Sequence, residues 1–228
     1  MGISWLKKSL YFCSYKKNKN RDFPVANIFK TFFTNCAHPK GWMGKVMLNL
    51  MNIGHAPLTN WGLGHIVFHD NWTMLDIGCG GGATLKRLLK RSNGGKVYGI
   101  DISEESVAKA RKVNAELLGK QIFVEHGTAL QLPYEDNQFD LVTAVETIYF
   151  WSDLQKCLQE VRRVLKSHCQ FVIMIEVLDR NSIWTDMVDG MTGYTPEQLK
   201  NILDDMGFIH TELYRMKPSY ATIIGTNP

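Results

Sequence analysis

The feature that most constrains the fold of this chain is the segment TMLDIGCGGGATLKRLL, residues 73–89. An apolar run of strand length ends in Asp76, a glycine-rich loop follows, and the segment then becomes helical. Glycines after a strand let the backbone turn sharply and approach a ligand, and the first amides of the next helix offer hydrogen-bond donors. The segment predicts a nucleotide-like ligand. Gly78, Gly80 and Ala83 also satisfy the loose dinucleotide fingerprint, so two chemistries stay open.

The chain beyond residue 71 alternates strand-like and helix-like segments, which predicts a parallel sheet with helices on both faces. The predicted strands are 73–77, 96–100, 121–126, 139–145 and 169–176, and the predicted helices are 82–92, 103–118, 152–165 and 195–206. The final stretches FIHTELYRM and YATIIGT flank a proline-containing turn, which predicts an antiparallel hairpin at the end of the sheet.

Local signals mark the ends of two predicted helices. Ser103 and the two glutamates after it provide an N-cap and an acidic first turn, and Gly119 is predicted to close that helix. The TPEQ stretch at 195–198 combines a cap, a proline in the first turn and a glutamine at the third position, and Gly207 is predicted to end the last helix.

A second carboxylate follows the second predicted strand. The stretch VYGID ends in Asp101, 18 residues after Ala83. Carboxyl ends of parallel strands meet at one edge of the sheet, so this carboxylate is predicted to lie near the glycine loop. A carboxylate there accepts hydrogen bonds from both hydroxyls of a ribose, so a ribose-bearing ligand is indicated.

The positive charge of the chain is concentrated at its start. The formal net charge is +4, yet six of the 26 lysines and arginines precede the first acid, Asp22. The other 20 basic residues face 22 acidic ones, so the basicity belongs to a tail. This distribution argues against a domain-wide nucleic-acid surface.

Composition indicates an ordinary globular protein. A chain of 228 residues with 45% apolar content suffices for one well-buried domain and a small cap. The five cysteines are scattered and lack a C-x-x-C pair, which predicts reduced thiols and no metal site. No apolar run approaches the roughly 20 residues that span a bilayer, and lysines interrupt the first apolar segment, so no secretory signal is expected. We expect a cytoplasmic protein.

Three segments are predicted along the chain. Residues 1–22 form a basic tail, for which packing on the chain's own domain is favoured over an amphipathic contact with an anionic membrane. Residues 23–70 are rich in Phe, Trp, Met, Gly and His and predict a helical cap or lid, and residues 71–228 contain the sheet.

The series LDIGCGGG, GIDIS, FDLVTAVETIYFW and EVRRVLK resembles the class I S-adenosylmethionine-dependent methyltransferases, in particular the small-molecule branch of types 11 and 25. The resemblance covers residues 72–228. It implies an α/β, Rossmann-like fold with a seven-stranded sheet in the order 3-2-1-4-5-7-6 and an antiparallel seventh strand, preceded by the helical cap. It also implies S-adenosylmethionine as cofactor and makes a nicotinamide dinucleotide the weaker alternative.

The resemblance implies positions for the cofactor contacts. Those along its methionine part are Asp76, Gly78, Gly80 and Gly82. Asp101 would hold the ribose and Ile102 would flank the adenine. Thr128 stands where many relatives carry an acid that binds the adenine amino group, so its hydroxyl and the Ala129 amide are the expected substitutes.

Two further residues have two possible roles each. Cys79 shares the glycine loop, where relatives also carry a cysteine, and we expect it to pack against the loop rather than act as a catalytic thiol. Glu146 follows the fourth strand, where relatives line the methionyl end of the cofactor; its alternative role is to satisfy a buried backbone group.

Aromatic and histidine side chains are candidates for an acceptor pocket, and many of them could equally be core. They are His38, Trp42, His55, Trp61 and His65 in the cap, and Tyr149, Phe150 and Trp151 after the fourth strand. The stretch GHAPLTNWGLGH is poor core-helix material and predicts a lid, with His55 as candidate general base.

The resemblance implies methyl transfer to a small-molecule acceptor by in-line displacement. The alternative is an S-adenosylmethionine-binding module with weak or no activity that acts through a partner or a membrane surface. Nucleic-acid amino methyltransferases carry an acid or Asn before Pro-Pro and an aromatic residue after the fourth strand, where this chain has ETIYFW, so no nucleic-acid partner is expected.

Overall fold

The structure of the protein is a computed structural model that describes residues 54–177, 191–216 and 219–228. The helices are α1 (Ala56–Gly62), α2 (Ala83–Leu89), α3 (Glu104–Val113), α4 (Leu154–Val164) and α5 (Pro196–Asp205), with short 3-10 turns at Leu63–His65 and Ile148–Phe150. The strands are β1 (Thr73–Ile77), β2 (Lys96–Asp101), β3 (Ile122–His126), β4 (Phe139–Val145), β5 (Leu165–Glu176), β6 (Ile209–Met216) and β7 (Tyr220–Thr226). The predicted tail and most of the predicted cap lie outside the described residues.

The seven strands of the described residues form one sheet in the order β3-β2-β1-β4-β5-β7-β6. β1 pairs in parallel with β2 and β4, β2 pairs in parallel with β3, and β4 pairs in parallel with β5. β7 runs antiparallel to both β5 and β6. The predicted strand order and the antiparallel hairpin are confirmed.

Helices cover both faces of the sheet because successive strand residues point to opposite sides. In β1, Met74 belongs to an apolar cluster with residues of α1, α2 and α3. Leu75 and Ile77 belong to the cluster on the other face, with residues of α4 and α5. Asp76 has the parity of Met74 and therefore lies on the face that α1 and α2 cover. This placement decides which side chains it meets.

Several predicted helix ends are confirmed. The Ser103 hydroxyl accepts a hydrogen bond from the Ser106 N–H at 3.2 Å, at the start of α3. At the start of α5 the Thr195 and Gln198 side chains form the predicted capping box. Gly207 follows the last helix with a φ of 82°, the left-handed conformation expected of a glycine there.

The prediction that Gly119 closes the second helix is wrong. α3 ends at Val113, and its C-cap is Asn114. The buried Asn114 side chain donates to the Gly82 and Ala110 carbonyls at 3.1 and 2.8 Å, and these bonds hold its own backbone in a non-helical conformation. Gly119 lies further on, in the turn before β3, where its N–H donates to the Ile122 carbonyl.

The fifth strand begins earlier than the pattern predicts. β5 starts at Leu165, directly after α4 ends, and Leu165 already pairs with Phe139. The pairing register then shifts before Leu141 pairs with Gln170. The predicted start at residue 169 missed this first part because the polar residues around the register shift break the apolar pattern.

The described end of the predicted cap is packed on the sheet. Leu58 of α1 and Leu63 of the following turn are 1% exposed, in one cluster with Met174 of β5 and Ile224 of β7. The domain boundaries at residues 22 and 70 stay predictions.

Candidate functional site

A cavity lies at the carboxyl ends of β1, β2 and β4, where a parallel sheet of this order binds its ligands. Its wall is formed by four segments, by the residue at the start of α1, and by side chains of α2, α3 and the stretch after β4. The wall includes residues 76–80, 100–102, 127–130 and 145–147, together with His55. Of the eleven predicted site residues, ten lie in this wall, and Gly82 does not.

The glycine loop is shaped by backbone hydrogen bonds to the second strand. The N–H groups of Gly78 and Cys79 both donate to the Ile100 carbonyl, at 2.8 and 3.1 Å. Gly80 follows with a φ of 51°, and no atom stands within 4 Å of the place a Cβ would take. The loop therefore leaves open space at Gly80, which is a residue of the cavity wall.

Gly82 has a packing role. A Cβ at this position would lie 2.8 Å from the Ala110 Cα and 2.7 Å from the Asn114 amide nitrogen, and the φ is 77°. Only a glycine lets the start of α2 approach α3 this closely. Its predicted place along the cofactor therefore has no support from the cavity wall.

Asp101 connects the glycine loop to the start of α3. Its Oδ2 accepts the Gly80 N–H at 2.8 Å and its Oδ1 accepts the Ser103 N–H at 2.9 Å. Burial raises the pKa of this carboxyl, and the N–H groups of Ser103 and Gly80 oppose that rise. Each carboxylate oxygen has a second lone-pair site, so the side chain can still accept hydrogen bonds from a ligand in the cavity.

Asp76 is a buried carboxyl, 1% exposed, in the cavity wall. The Thr143 hydroxyl donates to its Oδ1 at 2.7 Å. The pKa of Asp76 is about 7, because burial and the nearby Asp101 raise it by more than the Thr143 hydrogen bond and Arg87 lower it. A cationic ligand group beside Asp76 would favour its ionised form.

Asp76→Asn is expected to be more stable than the wild type at pH 8 but not at pH 4. The raised folded-state pKa means that the stability contributed by protonated Asp76 is complete below its unfolded pKa near 3.8 and is lost as the pH rises through about 7. Between pH 4 and pH 8, the free energy of unfolding of the variant should rise by roughly 2–4 kcal/mol relative to that of the wild type. Urea unfolding at both pH values measures it.

The exposed Asp70 gives the matched control for this experiment. Asp70→Asn removes a carboxylate outside the cavity, so it measures the effect of the charge change alone. A gap between Asp76→Asn and the wild type that stays constant with pH would contradict the assignment.

Cys79 packs in the loop. Its side chain is 5% exposed, and its Sγ would lie 2.9 Å from a Cβ built on Gly99 of β2. Burial raises the pKa of the thiol well above its usual value, and Asp101 and Asp76 add to the rise. A thiol that stays protonated is a poor nucleophile, so the geometry fits packing and not catalysis.

The expected adenine side of the cavity contains a strongly exposed apolar side chain. Ile102 is 56% exposed although it lies in the cavity wall, so a bound planar ring would cover it. Ala129 and Thr128 lie in the same wall. The Thr128 hydroxyl accepts the Leu130 N–H at 3.3 Å and keeps a lone-pair site for a ligand.

Glu146 has the second of the two roles that the sequence left open, since it accepts a hydrogen bond from a backbone N–H group. It lies in the cavity wall, and its Oε1 accepts the N–H of Glu176 and the hydroxyl hydrogen of Tyr149. Its φ of 57° is uncommon for a residue with a side chain, and its own N–H donates to the Met174 carbonyl at 2.9 Å. The residue thus joins the end of β4 to the end of β5 at the cavity.

His55 enters the cavity wall from the start of α1. Its backbone carbonyl accepts the N–H and the hydroxyl hydrogen of Thr59, at 2.9 and 2.8 Å. Burial and, to a smaller extent, the positive charge of Arg87 lower the pKa of its imidazole to about 4. His55 is therefore neutral near pH 7, with a lone pair available on the ring.

The other predicted acceptor residues divide into four groups. Phe150 and Trp151 lie in the cavity wall. Tyr149 is 3% exposed and belongs to the core beneath it. His65 stacks on Tyr214 at 3.9 Å, with Trp61 edge-on to it, and neither is part of the cavity. His38 and Trp42 lie outside the described residues.

Thr84 and Arg87 on α2 are among the wall residues that sequence reasoning missed. They are three positions apart and so share one face of the helix. The i, i+3 spacing directly after the glycine loop is the signal that could have found them.

Comparison with known proteins supports the resemblance to methyltransferases that the sequence motifs indicated. Residues 75–173 match the family described as a methyltransferase domain. The chain is 36% identical over 104 residues to a 2-phytyl-1,4-naphtoquinone methyltransferase of Trichormus variabilis, covering 45% of each chain. It is 38% identical over 102 residues to a norajmaline N-methyltransferase of Rauvolfia serpentina, covering 44% of this chain and 35% of that one. The chain thus spans less than half the length of these two relatives.

The fold comparison extends over more of the chain. An S-adenosylmethionine-dependent methyltransferase from Aquifex aeolicus superposes with a TM-score of 0.68 at 23% identity, covering 80% of this chain and 98% of that one. At this identity the likeness shows the fold alone.

The match of residues 75–173 to a methyltransferase domain, the strand order and the glycine loop all agree with the class I S-adenosylmethionine-dependent methyltransferases. The cavity fits the cofactor. Open space at Gly80, the exposed Ile102 side chain and the Asp101 carboxylate suit the amino-acid end, the adenine and the ribose.

The described residues lack two further features. No helix in that part of the chain has the length and apolar character to cross a bilayer. The same residues form no group of three or more His, Cys, Asp or Glu side chains suited to a metal ion.

Proposed function

We propose that this protein transfers the methyl group of S-adenosylmethionine to a small organic acceptor by in-line displacement. The observation that supports it most is one cavity whose wall joins the Asp76 and Asp101 carboxylates to the aromatic side chains of Phe150 and Trp151. The relatives carry names of methyltransferases that act on a naphthoquinone and on an alkaloid, and both are small molecules.

The bound cofactor would supply the reactive group, a methyl on a positively charged sulfur. Asp101 would accept hydrogen bonds from the ribose hydroxyls, and its bonds to the Gly80 and Ser103 N–H groups would hold it in place for this role. Ile102 would pack on the adenine, and Thr128 and Ala129 would border the amino edge of the ring. The chain's contribution is to fix the orientation of the methyl group.

The acceptor would lie between the cofactor and the segment after β4. Phe150 and Trp151 give this end an apolar, aromatic wall that suits an organic ring or chain and excludes water. Aromatic faces also attract the positive sulfur by a cation–π interaction. We propose an apolar or aromatic acceptor for this reason.

We propose His55 as the group that removes the acceptor's proton. The His55→Gln variant is expected to lower kcat about 100-fold near pH 7.5, the usual size of a general-base contribution, with cofactor affinity within about twofold. Because the folded pKa of His55 lies near 4, the wild-type rate should not fall between pH 8 and pH 6 through protonation of this residue. Initial rates of S-adenosylhomocysteine formation measure both. Unchanged turnover in the variant would end its candidacy.

The test of the proposed function has two stages. Calorimetric titration of the full chain with S-adenosylmethionine, S-adenosylhomocysteine and NAD should give binding of the first two only. Incubation with a panel of quinones, phenols and amines should then give S-adenosylhomocysteine and a methylated product for at least one acceptor. Binding without turnover across the panel would favour the alternative of a cofactor-binding module, in which the basic tail or a partner surface has the functional role.

A further inference from the structure

Arg87 is a positive charge in a wall that otherwise carries carboxylates. Among the described residues that line the cavity, it is the only arginine or lysine, whereas Asp76, Asp101 and Glu146 all contribute acidic groups. It lies on α2, three positions after Thr84, and this spacing turns both side chains toward the cavity.

Arg87 is close enough to Asp76 and His55 to act on both electrostatically. It lowers the pKa of the Asp76 carboxyl and lowers that of the His55 imidazole. Burial lowers the pKa of Arg87 itself, and Asp76 raises it again. A guanidinium keeps its charge under such conditions. The cavity therefore presents one cation and one buried carboxyl side by side.

The amino-acid end of S-adenosylmethionine has matching chemistry, because it carries an ammonium and a carboxylate on one carbon. A carboxylate that entered a wall with three acidic side chains would be repelled unless a cation received it. An arginine is suited to that task, because its planar guanidinium donates two parallel hydrogen bonds to a carboxylate.

We propose that Arg87 is a specificity-determining residue that binds the carboxylate of the cofactor's amino-acid end, while Asp76 faces its ammonium group. The inference rests on the proposed function in that it takes S-adenosylmethionine as the ligand of the cavity. It adds which side chain binds each charged group of the ligand.

The experiment compares two ligands that differ only in this carboxylate, S-adenosylmethionine and decarboxylated S-adenosylmethionine, by calorimetry on the full chain. The wild type should bind S-adenosylmethionine roughly tenfold or more tightly than the decarboxylated ligand. The Arg87→Gln variant should lose roughly tenfold or more in affinity for S-adenosylmethionine and less than about twofold for the decarboxylated ligand. Arg87→Lys should lie between the two proteins.

The exposed Lys90 supplies a matched control at the end of the same helix. Lys90→Gln removes an equal charge outside the cavity and should leave both affinities unchanged. Melting curves establish that the variants are folded. If Arg87→Gln does not fold, the preference of the wild type for the carboxylated ligand still tests the inference.

Three results would overturn the inference. Equal affinity of the wild type for both ligands would show that the carboxylate of the ligand does not contribute to binding. A loss in Arg87→Gln that is the same for both ligands would mean that Arg87 acts on the fold of the site or on another group. A wild type that binds neither ligand would overturn the proposed function as well, and so the two failures are distinguishable.

Discussion

Asp101→Ala is expected to weaken the binding of S-adenosylmethionine by roughly 10- to 100-fold, the usual size of lost hydrogen bonds to a charged group. The carboxylate lies in the cavity wall and is oriented by the N–H groups of Gly80 and Ser103. Its removal takes away the acceptor for the ribose hydroxyls and leaves two loop N–H groups without their partner. Calorimetry of the folded variant measures the loss.

A ligand without the ribose 2′-hydroxyl separates the direct contact from the support of the loop. The wild type should prefer S-adenosylhomocysteine to its 2′-deoxy analogue, and Asp101→Ala should lose most of that preference. Glu104→Ala is the charge-matched control, because Glu104 is exposed and stands outside the cavity. A variant that retains both affinity and preference would remove Asp101 from the ribose.

The sequence predicted the sheet well because local pattern and resemblance agree on it. Alternating strands and helices indicate a parallel sheet, and the apolar–polar pattern of the last two segments indicates the hairpin. The order of the strands required the resemblance, since no local pattern specifies which strands are neighbours. The failure at Gly119 has a tertiary cause, because the Asn114 side chain ends α3 through bonds to Gly82 on a distant part of the chain.

The candidate site was predictable where the backbone alone positions it. Residues that directly follow a parallel strand must meet at one edge of the sheet, and ten of the eleven predicted residues lie in the cavity wall there. Arg87 was not found because its approach depends on the rotation of α2 about its axis. Which face of α2 meets the cavity follows from the packing of the helix, which requires the three-dimensional structure.

The aromatic character of a residue predicted its place in the cavity wall less well than its position directly after a strand. Phe150 and Trp151 follow β4 and lie in the cavity wall, as their position after a strand implies. Trp61 and His65 follow no strand, and they pack together against Tyr214 of β6. A histidine or tryptophan in a helical segment is therefore informative only once the face that it occupies is known.

Gly82→Ala is expected to lower the free energy of unfolding by about 2–4 kcal/mol, because a methyl group there overlaps the backbone of α3 and the φ is unfavourable for alanine. Gly80→Ala shares the positive φ but meets open space, so it should lose only about 1–2 kcal/mol. Urea unfolding of the two variants measures the difference.

Cofactor affinity should show the opposite order, with the larger loss in Gly80→Ala and the smaller loss in Gly82→Ala. Gly80 lies in the cavity wall and a methyl group there would occupy open space, so the affinity of Gly80→Ala for S-adenosylmethionine should fall roughly tenfold in a folded protein. Gly82→Ala, measured where it is still folded, should bind closer to the wild type because position 82 is outside the cavity wall. Equal stability losses in both variants would contradict the packing role of Gly82, and an unaffected affinity in Gly80→Ala would mean that the ligand does not approach the loop at this point.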